Sequence, residues 1–364
     1  IFPFGPSSVR KCKLNGFSFD TAMAQLKAIG CNTVHGYVRL GTPECEEFVA
    51  ACARHGLLTM LETADRKSVG AARDREIADN VARMRNRGVM LAWVVGDDTA
   101  NYRTPEEVMR DTMVCRAADP TARTISVDVV TYEGRHYPYA HACDAVCPEL
   151  YPFRNETPEP DALEKVVLNQ RNAINDNRRA GAIGKGLLPV LQAFSGWKEW
   201  KRYPTYDEVR GQTYAAIAAG ARGITYYSYY SSDEAHNLCI ATRPDKFEEF
   251  ATLAREVNAL SPDLVERDAK DQPTVTVVSG PKAALGGTPS IICLLKESAR
   301  GEPLLMAVNL AADGVRAEFR VSCGFTCAQV ISEDRTLQVA DGVLVDAFDH
   351  GATHLYRLMH GGRP

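Results

Sequence analysis

At 364 residues the chain is too long for one ordinary domain and suits a barrel of about 250 residues followed by a domain of about 100. Apolar residues make up 45% and charged residues 24%, which allows a sizeable buried core. The net charge of −4, with basic residues scattered along the chain, argues against nucleic-acid or anionic-membrane partners, because phosphate recognition needs a clustered basic face.

No apolar run approaches the roughly 20 residues that span a bilayer. The chain opens at Ile1 inside an expected first strand, which points to a processed N-terminus with any targeting signal removed. Short apolar runs then alternate with helical periodicity eight times. The expected strands are 2–6, 33–37, 57–61, 91–95, 124–129, 145–150, 188–193 and 223–229, with helices such as 19–29, 44–55 and, after the last strand, 246–260. Alternation of this kind implies right-handed crossovers and a parallel sheet, and eight repeats suit closure into a (β/α)₈ barrel. Thr104-Pro105-Glu106-Glu107 and Thr205-Tyr206-Asp207-Glu208 read as capping boxes, and Thr42-Pro43 opens another helix. Gly30, Gly56 and Gly88 close helices.

Ser261-Pro262 marks the expected end of the barrel, giving domains 1–262 and 263–364. Beyond it seven short strands with turn residues between them read as an antiparallel β-sandwich: 274–279, 290–296, 304–310, 315–321, 328–332, 343–348 and 353–358. The short linker makes this domain a structural cap rather than an independent module. The eleven cysteines form no CxxC pair and no zinc spacing, and most read as buried small hydrophobes. Cys143 with Cys147 and Cys323 with Cys327 are near enough in sequence to pair across a turn.

In a barrel, functional groups collect at the strand ends and the loops after them. There stand Ser7 and Ser8; His35, Tyr37 and Arg39; Glu62 and Asp65; Asp97 and Asp98; and Asp128. The later strands add Glu149 and Tyr151; Gln192 with Trp197 and Trp200; and Tyr227, Tyr229, Asp233, Glu234 and His236. Carboxylates and aromatic rings on one rim suit a carbohydrate partner, acids for proton transfer and ring faces for the apolar side of a pyranose. The chain has no GxxxxGK[ST], GxSxG or HExxH motif and no lysine at a strand end. No spacing rule makes His35, Glu62 and Asp128 a metal set, and no cofactor is expected.

Leu91–Asp98 (LAWVVGDD), Thr104–Glu107 and Ala118–Pro120 together resemble a pattern in glycoside-hydrolase-like barrels of polysaccharide-degrading bacteria. There a fourth-strand W-x-x-x-D-E-P is followed by a helix and a D-P-x-R-P turn. Cys143–Pro152 resembles the sixth-strand D-x-Y-P of the same group, and 189–194, 202–210 and 220–228 resemble its last two strands. The resemblance covers most of residues 1–260 and implies a glycosidase of clan A type with an appended β-sandwich, exported from the cytoplasm. It places Asp98 where that clan carries its glutamate acid/base, with Thr99 in place of the proline. It also places Gln192 where the clan carries its seventh-strand glutamate nucleophile, and an amide cannot form a glycosyl-enzyme.

Three repairs are open. Glu149, Glu62, Asp233 or Glu234 could supply the second carboxyl group; Asp97 and Asp98 could work with a substrate acetamido group; or the site has kept binding and lost catalysis. The expectation is a glycoside hydrolase with Asp98 as general acid/base, Asp97 supporting it and Glu149 as a candidate partner. His35, Tyr37, Glu62, Asp128, Tyr151, Gln192, Trp197, Tyr227, Tyr229, Asp233 and Glu234 would line the substrate site. The alternatives are a non-catalytic carbohydrate-binding protein and a polysaccharide lyase.

Overall fold

The computed structural model describes residues 1–10, 17–128, 136–155, 159–197, 199–230 and 238–360. Parallel pairing runs through two arcs. Strands Thr33–Gly36, Leu58–Glu62, Met90–Gly96, Thr124–Asp128, Ala145–Pro148 and Gly186–Leu187 make one; Val190–Gln192, Ile224–Tyr227 and Phe4–Pro6 make the other. The seventh barrel strand is thus split at Leu188-Pro189, where proline has no N–H to give a ladder. Each half pairs with a different neighbour.

Backbone hydrogen bonds join the arcs into a closed barrel. Asn32 donates to the Phe4 carbonyl (3.1 Å) and Val9 to that of His35 (3.1 Å) on one side; Leu188 donates to Val146 (3.1 Å) on the other. Gly5 sits at the first seam, where a Cβ would lie 1.8 Å from the Thr33 carbonyl oxygen, so no side chain fits. The period of two along the strands then sorts the core. Met60, Ala92, Val94, Ile125, Val127, Cys147 and Val190 form one cluster that fills the barrel. Leu61, Trp93, Val95, Val146, Leu191 and Tyr226 lie in the cluster that packs on the helices.

The outer ring is α1 (Phe19–Ala28), α2 (Pro43–His55), α3 (Gly70–Met84), the short α4 (Thr99–Tyr102), α5 (Pro105–Ala118), α6 (Ala162–Arg179), α7 (Tyr206–Ala218) and α8 (Pro244–Leu264). After the fifth strand the described residues contain a single 3₁₀ turn, Tyr137–Tyr139, rather than a helix. The expected caps are in place: Thr42 accepts from the Cys45 N–H, and Thr104 and Thr205 close capping boxes with Glu107 and Glu208. Such caps contribute about 1 kcal/mol each.

One helix end and one strand differ from expectation. Helix α8 runs through Ser261-Pro262 to Leu264, because Asp263 in its last turn is held by the Arg357 guanidinium of the C-terminal domain (2.8 Å). That domain has eight antiparallel strands, in the order Thr274–Ser279, Val315–Arg320, Val343–Phe348, Arg335–Ala340, Phe325–Val330, Thr353–His360, Leu304–Asn309 and Ile291–Lys296. Arg335–Ala340 escapes a hydrophobicity reading because only Leu337 and Val339 stand out in it. All ten described cysteines carry free thiols, so neither Cys143 with Cys147 nor Cys323 with Cys327 forms a bridge.

The two domains share one apolar cluster. Leu304, Met306, Val308 and Leu355 of the sheet join Val166, Val167, Tyr214 and Leu253 of the helices. Buried polar groups are matched across the same contact. Glu164 of α6 accepts from the backbone N–H groups of Gly286 (2.6 Å) and Thr288 (2.8 Å), and Arg210 of α7 donates to the Thr353 carbonyl (2.6 Å) while pairing with Glu256. The C-terminal domain therefore covers α6, α7 and α8. Glu164→Ala leaves the buried Thr288 amide and the partly buried Gly286 amide without their acceptor, and we expect urea denaturation to show a loss of about 1–3 kcal/mol, with Glu164→Gln losing less.

Candidate active site

The fourth strand sets the site. A bulge opposite the fifth strand falls between Val94 and Gly96, and such bulges re-aim the residues that follow. At Gly96 an added Cβ would lie 2.5 Å from the Thr99 hydroxyl, which itself donates to the Val127 carbonyl (2.7 Å). Thr99, standing where the resembling family has proline, thus pins the turn to the fifth strand. Between them Asp98 adopts a left-handed conformation (φ 49°, ψ 40°), one that aspartate tolerates better than most residues. Asp98 precedes α4 but makes no side-chain capping bond, so its carboxylate is left for the cleft, with a side-chain exposure of 37%.

Asp97 has the opposite environment. Its side chain is 6% exposed, accepts from the Tyr37 hydroxyl (3.0 Å) and is hydrogen-bonded to the Arg66 guanidinium. Arg66 also stands 3.8 Å from Glu62 and 4.0 Å from Asp98, and lies 5.9 Å from the centre of the Tyr102 ring. One cation therefore ties three carboxylates from two loops. Burial raises the Glu62 carboxyl from its ordinary value, against the pull of Arg66 and Arg73.

Glu149 follows the sixth strand and is hydrogen-bonded by the Tyr151 hydroxyl. Burial, and then the charge of Glu149, hold the phenols of Tyr151 and Tyr37 well above their ordinary range, so both remain hydrogen-bond donors. The aromatic wall is continuous. Tyr151, Phe194 and Tyr227 meet with centroids 4.9 to 5.6 Å apart, and Trp200 packs against Phe194 at 5.4 Å. Trp197, 43% exposed, stacks flat on Trp200 (5.4 Å, 11°), whose indole N–H donates to the Tyr151 carbonyl (3.0 Å).

These groups enclose a cavity of about 680 Å³ at the C-terminal ends of the strands, lined among others by Tyr37, Asp97, Asp98, Glu149, Tyr151, Trp197 and Tyr227. Other expected residues stand elsewhere. His35 is buried (2% exposed) beside the Tyr37 ring and does not line the cavity; burial, then Arg66, lowers its imidazole to about 4. Glu62 lines adjoining hollows, and Asp128 ends the fifth strand opposite Pro148. Tyr229 lines a different hollow between α1 and α8, because the eighth strand ends at Tyr227 and its alternation ends with it. Asp233, Glu234 and His236 lie outside the described residues.

Gln192 corrects the expectation of a substrate contact. It is fully buried, its carboxamide oxygen accepting from the Phe153 N–H (2.9 Å) and its nitrogen donating to the Phe153 carbonyl (2.8 Å). A glutamate could not make the second bond, so the amide is required by the backbone it braces. Arg66, Asn101, Tyr102 and Arg154 line the cavity without having been expected. Arg66 lies one residue beyond the last polar group assigned to its strand end, and Asn101 and Tyr102 lie in α4, a single turn too short to show periodicity. Among the described residues no group of three His, Cys, Asp or Glu side chains is placed to hold a metal ion.

No protein-family model matches the chain, and no curated protein sequence does. Solved structures do. One described as a glycoside hydrolase superposes over 100% of this chain and 94% of its own, with a TM-score of 0.67 at 12% identity. A family 5 glycoside hydrolase from Bacteroides vulgatus gives 0.62 over 99% and 89%, at 12% identity. The α-amylase of Geobacillus thermoleovorans, solved with acarbose, gives 0.62 over 99% and 98%, at 8% identity. The chain therefore has a glycoside-hydrolase-like fold, a (β/α)₈ barrel with a C-terminal antiparallel β-domain.

Two outcomes follow from the buried groups. Gln192→Glu brings a second acceptor against the Phe153 carbonyl, and thermal or urea unfolding should register a loss of about 2–3 kcal/mol with no gain of activity. His35 binds a proton in the unfolded chain below its ordinary 6.5 but in the folded chain only near 4. Stability should accordingly fall as pH drops through that window, by up to about 3 kcal/mol at its acid end. Denaturation series from pH 7 to 4 should show a shallower slope for His35→Gln.

Proposed function

We propose that the protein hydrolyses a glycosidic bond in a poly- or oligosaccharide, with Asp98 as general acid/base and Glu149 as the second carboxyl group. The observation that carries this reading is that two carboxyl groups, from the ends of the fourth and sixth strands, line one cavity together with an aromatic wall. Asp98 gives its proton to the departing glycosidic oxygen while Glu149 acts on the anomeric carbon from the other side. If Glu149 attacks directly, a glycosyl-enzyme forms and water later releases it with retained configuration. If it takes a proton from water instead, the anomer is inverted. Trp197, backed by Trp200, offers a flat apolar face, and Tyr37 and Tyr151 hold hydroxyl donors toward the carboxylates. Asp97 positions rather than reacts, since Arg66 and Tyr37 already occupy it.

The engagement of Gln192 with the backbone favours a second reading, in which the cleft binds saccharide without cleaving it. One experiment separates the two: purified protein is incubated with a broad set of poly- and oligosaccharides and the released reducing ends are measured. Wild-type release that falls a hundredfold or more in both Asp98→Asn and Glu149→Gln supports the hydrolase. Equal release by wild type and Asp98→Asn removes Asp98 from the mechanism. Binding without release by any form supports the second reading.

A further inference from the structure

Beside the main cavity lies a second hollow of about 320 Å³ whose chemistry is of another kind. Arg10, Arg39, Arg66 and Lys67 line it, brought from the loops after the first three strands, and it shares Tyr37 and Arg66 with the cavity that holds Asp98 and Glu149. Three carboxyl groups also line it, and each already has a partner. Asp65 faces Arg39 at 3.9 Å; Glu76 accepts from the Asp65 N–H and the Ser68 hydroxyl; Glu62 stands 3.8 Å from Arg66. Arg66 is committed to Asp97. Among the described residues, neither Arg10 nor Lys67 has an ion pair or a side-chain hydrogen bond. The hollow therefore has cationic donors to spare beside Arg66, which stands 4.0 Å from Asp98, in a chain whose overall charge is −4.

We propose that the substrate is an anionic saccharide, bearing uronate carboxylates or sulfate esters, with one charged substituent seated between Arg10 and Lys67. This rests on the saccharide reading above and narrows it. A guanidinium presents parallel N–H donors that match the oxygens of a carboxylate or sulfate, and a lysine ammonium adds a point charge at variable reach. A neutral sugar would leave both cations facing water with nothing gained. The shared wall of Tyr37 and Arg66 puts the charged group next to the sugar whose bond lies at Asp98.

The test is binding by titration calorimetry at low ionic strength, using wild type and the Asp98→Asn protein so that turnover does not obscure the affinity. The probes are oligomers of polygalacturonate, glucuronoxylan, alginate and chondroitin sulfate, each beside its carboxyl-reduced or desulfated counterpart, and neutral oligomers of cellulose, mannan and starch. At least one acidic oligomer should bind tenfold or more tighter than its neutralised counterpart, and added salt should weaken it. Arg10→Ala/Lys67→Ala should remove that difference while Arg10→Lys/Lys67→Arg keeps it. Loss on carboxyl reduction identifies a uronate, loss on desulfation a sulfate. A neutral oligomer that binds as tightly and is cleaved overturns the anionic substrate and leaves the hydrolase standing. Failure of every saccharide to bind overturns both.

Discussion

Everything in this molecule depends on closing two parallel arcs of strands into one barrel without a gap. The seam beside Gly5 accomplishes it by bringing the backbones of two strands so close that no side chain fits between them. The second seam needs the seventh strand to serve two neighbours in turn, and the break at Leu188-Pro189 lets it do so. Once closed, the barrel has no unpaired edge, and its strand ends converge on one rim. Functional groups far apart in sequence, from Tyr37 to Tyr227, then line a single cavity.

Within that rim the electrostatics divide two adjacent aspartates. Asp97 is buried and spent on Arg66 and Tyr37; Asp98, turned by a bulge and a left-handed residue, faces the cleft. Burying Asp97 without its cation would be costly, so the pair holds the loops after the third and fourth strands together as well as shaping the charge around Asp98. The same guanidinium borders the neighbouring hollow, and so links the carboxylates of one cavity to the cations of the other.

The C-terminal sheet is part of the barrel's stability rather than an attachment. It covers apolar side chains of α6, α7 and α8 that would otherwise face water, and Glu164, Arg210 and Asp263 satisfy backbone or ionic partners across the contact. Its own network of Asp346 with Arg335, His354 and Tyr356 holds three strands in register. Those hydrogen bonds, outweighing burial, keep the Asp346 carboxyl well below its usual range.

The eight-fold alternation, the capping boxes and the change of period after α8 were legible in the sequence because they rest on local rules: side-chain period, cap chemistry and turn residues. Asp97, Asp98, Glu149, Tyr151 and Trp197 could be assigned to the rim for the same reason, since a barrel puts strand ends there. What local rules do not carry is the direction a side chain takes after its strand ends and the partner it finds. Tyr229 leaves the alternation and Gln192 is claimed by the Phe153 backbone. Arg66 enters the site from a loop position that no period marks. The sequence by itself determined the barrel and the rim, because periodicity along a chain is a one-dimensional property. Only the tertiary structure decided which rim residues meet, because hydrogen-bond partners and shared cavities are relations between segments that the chain brings together only when folded.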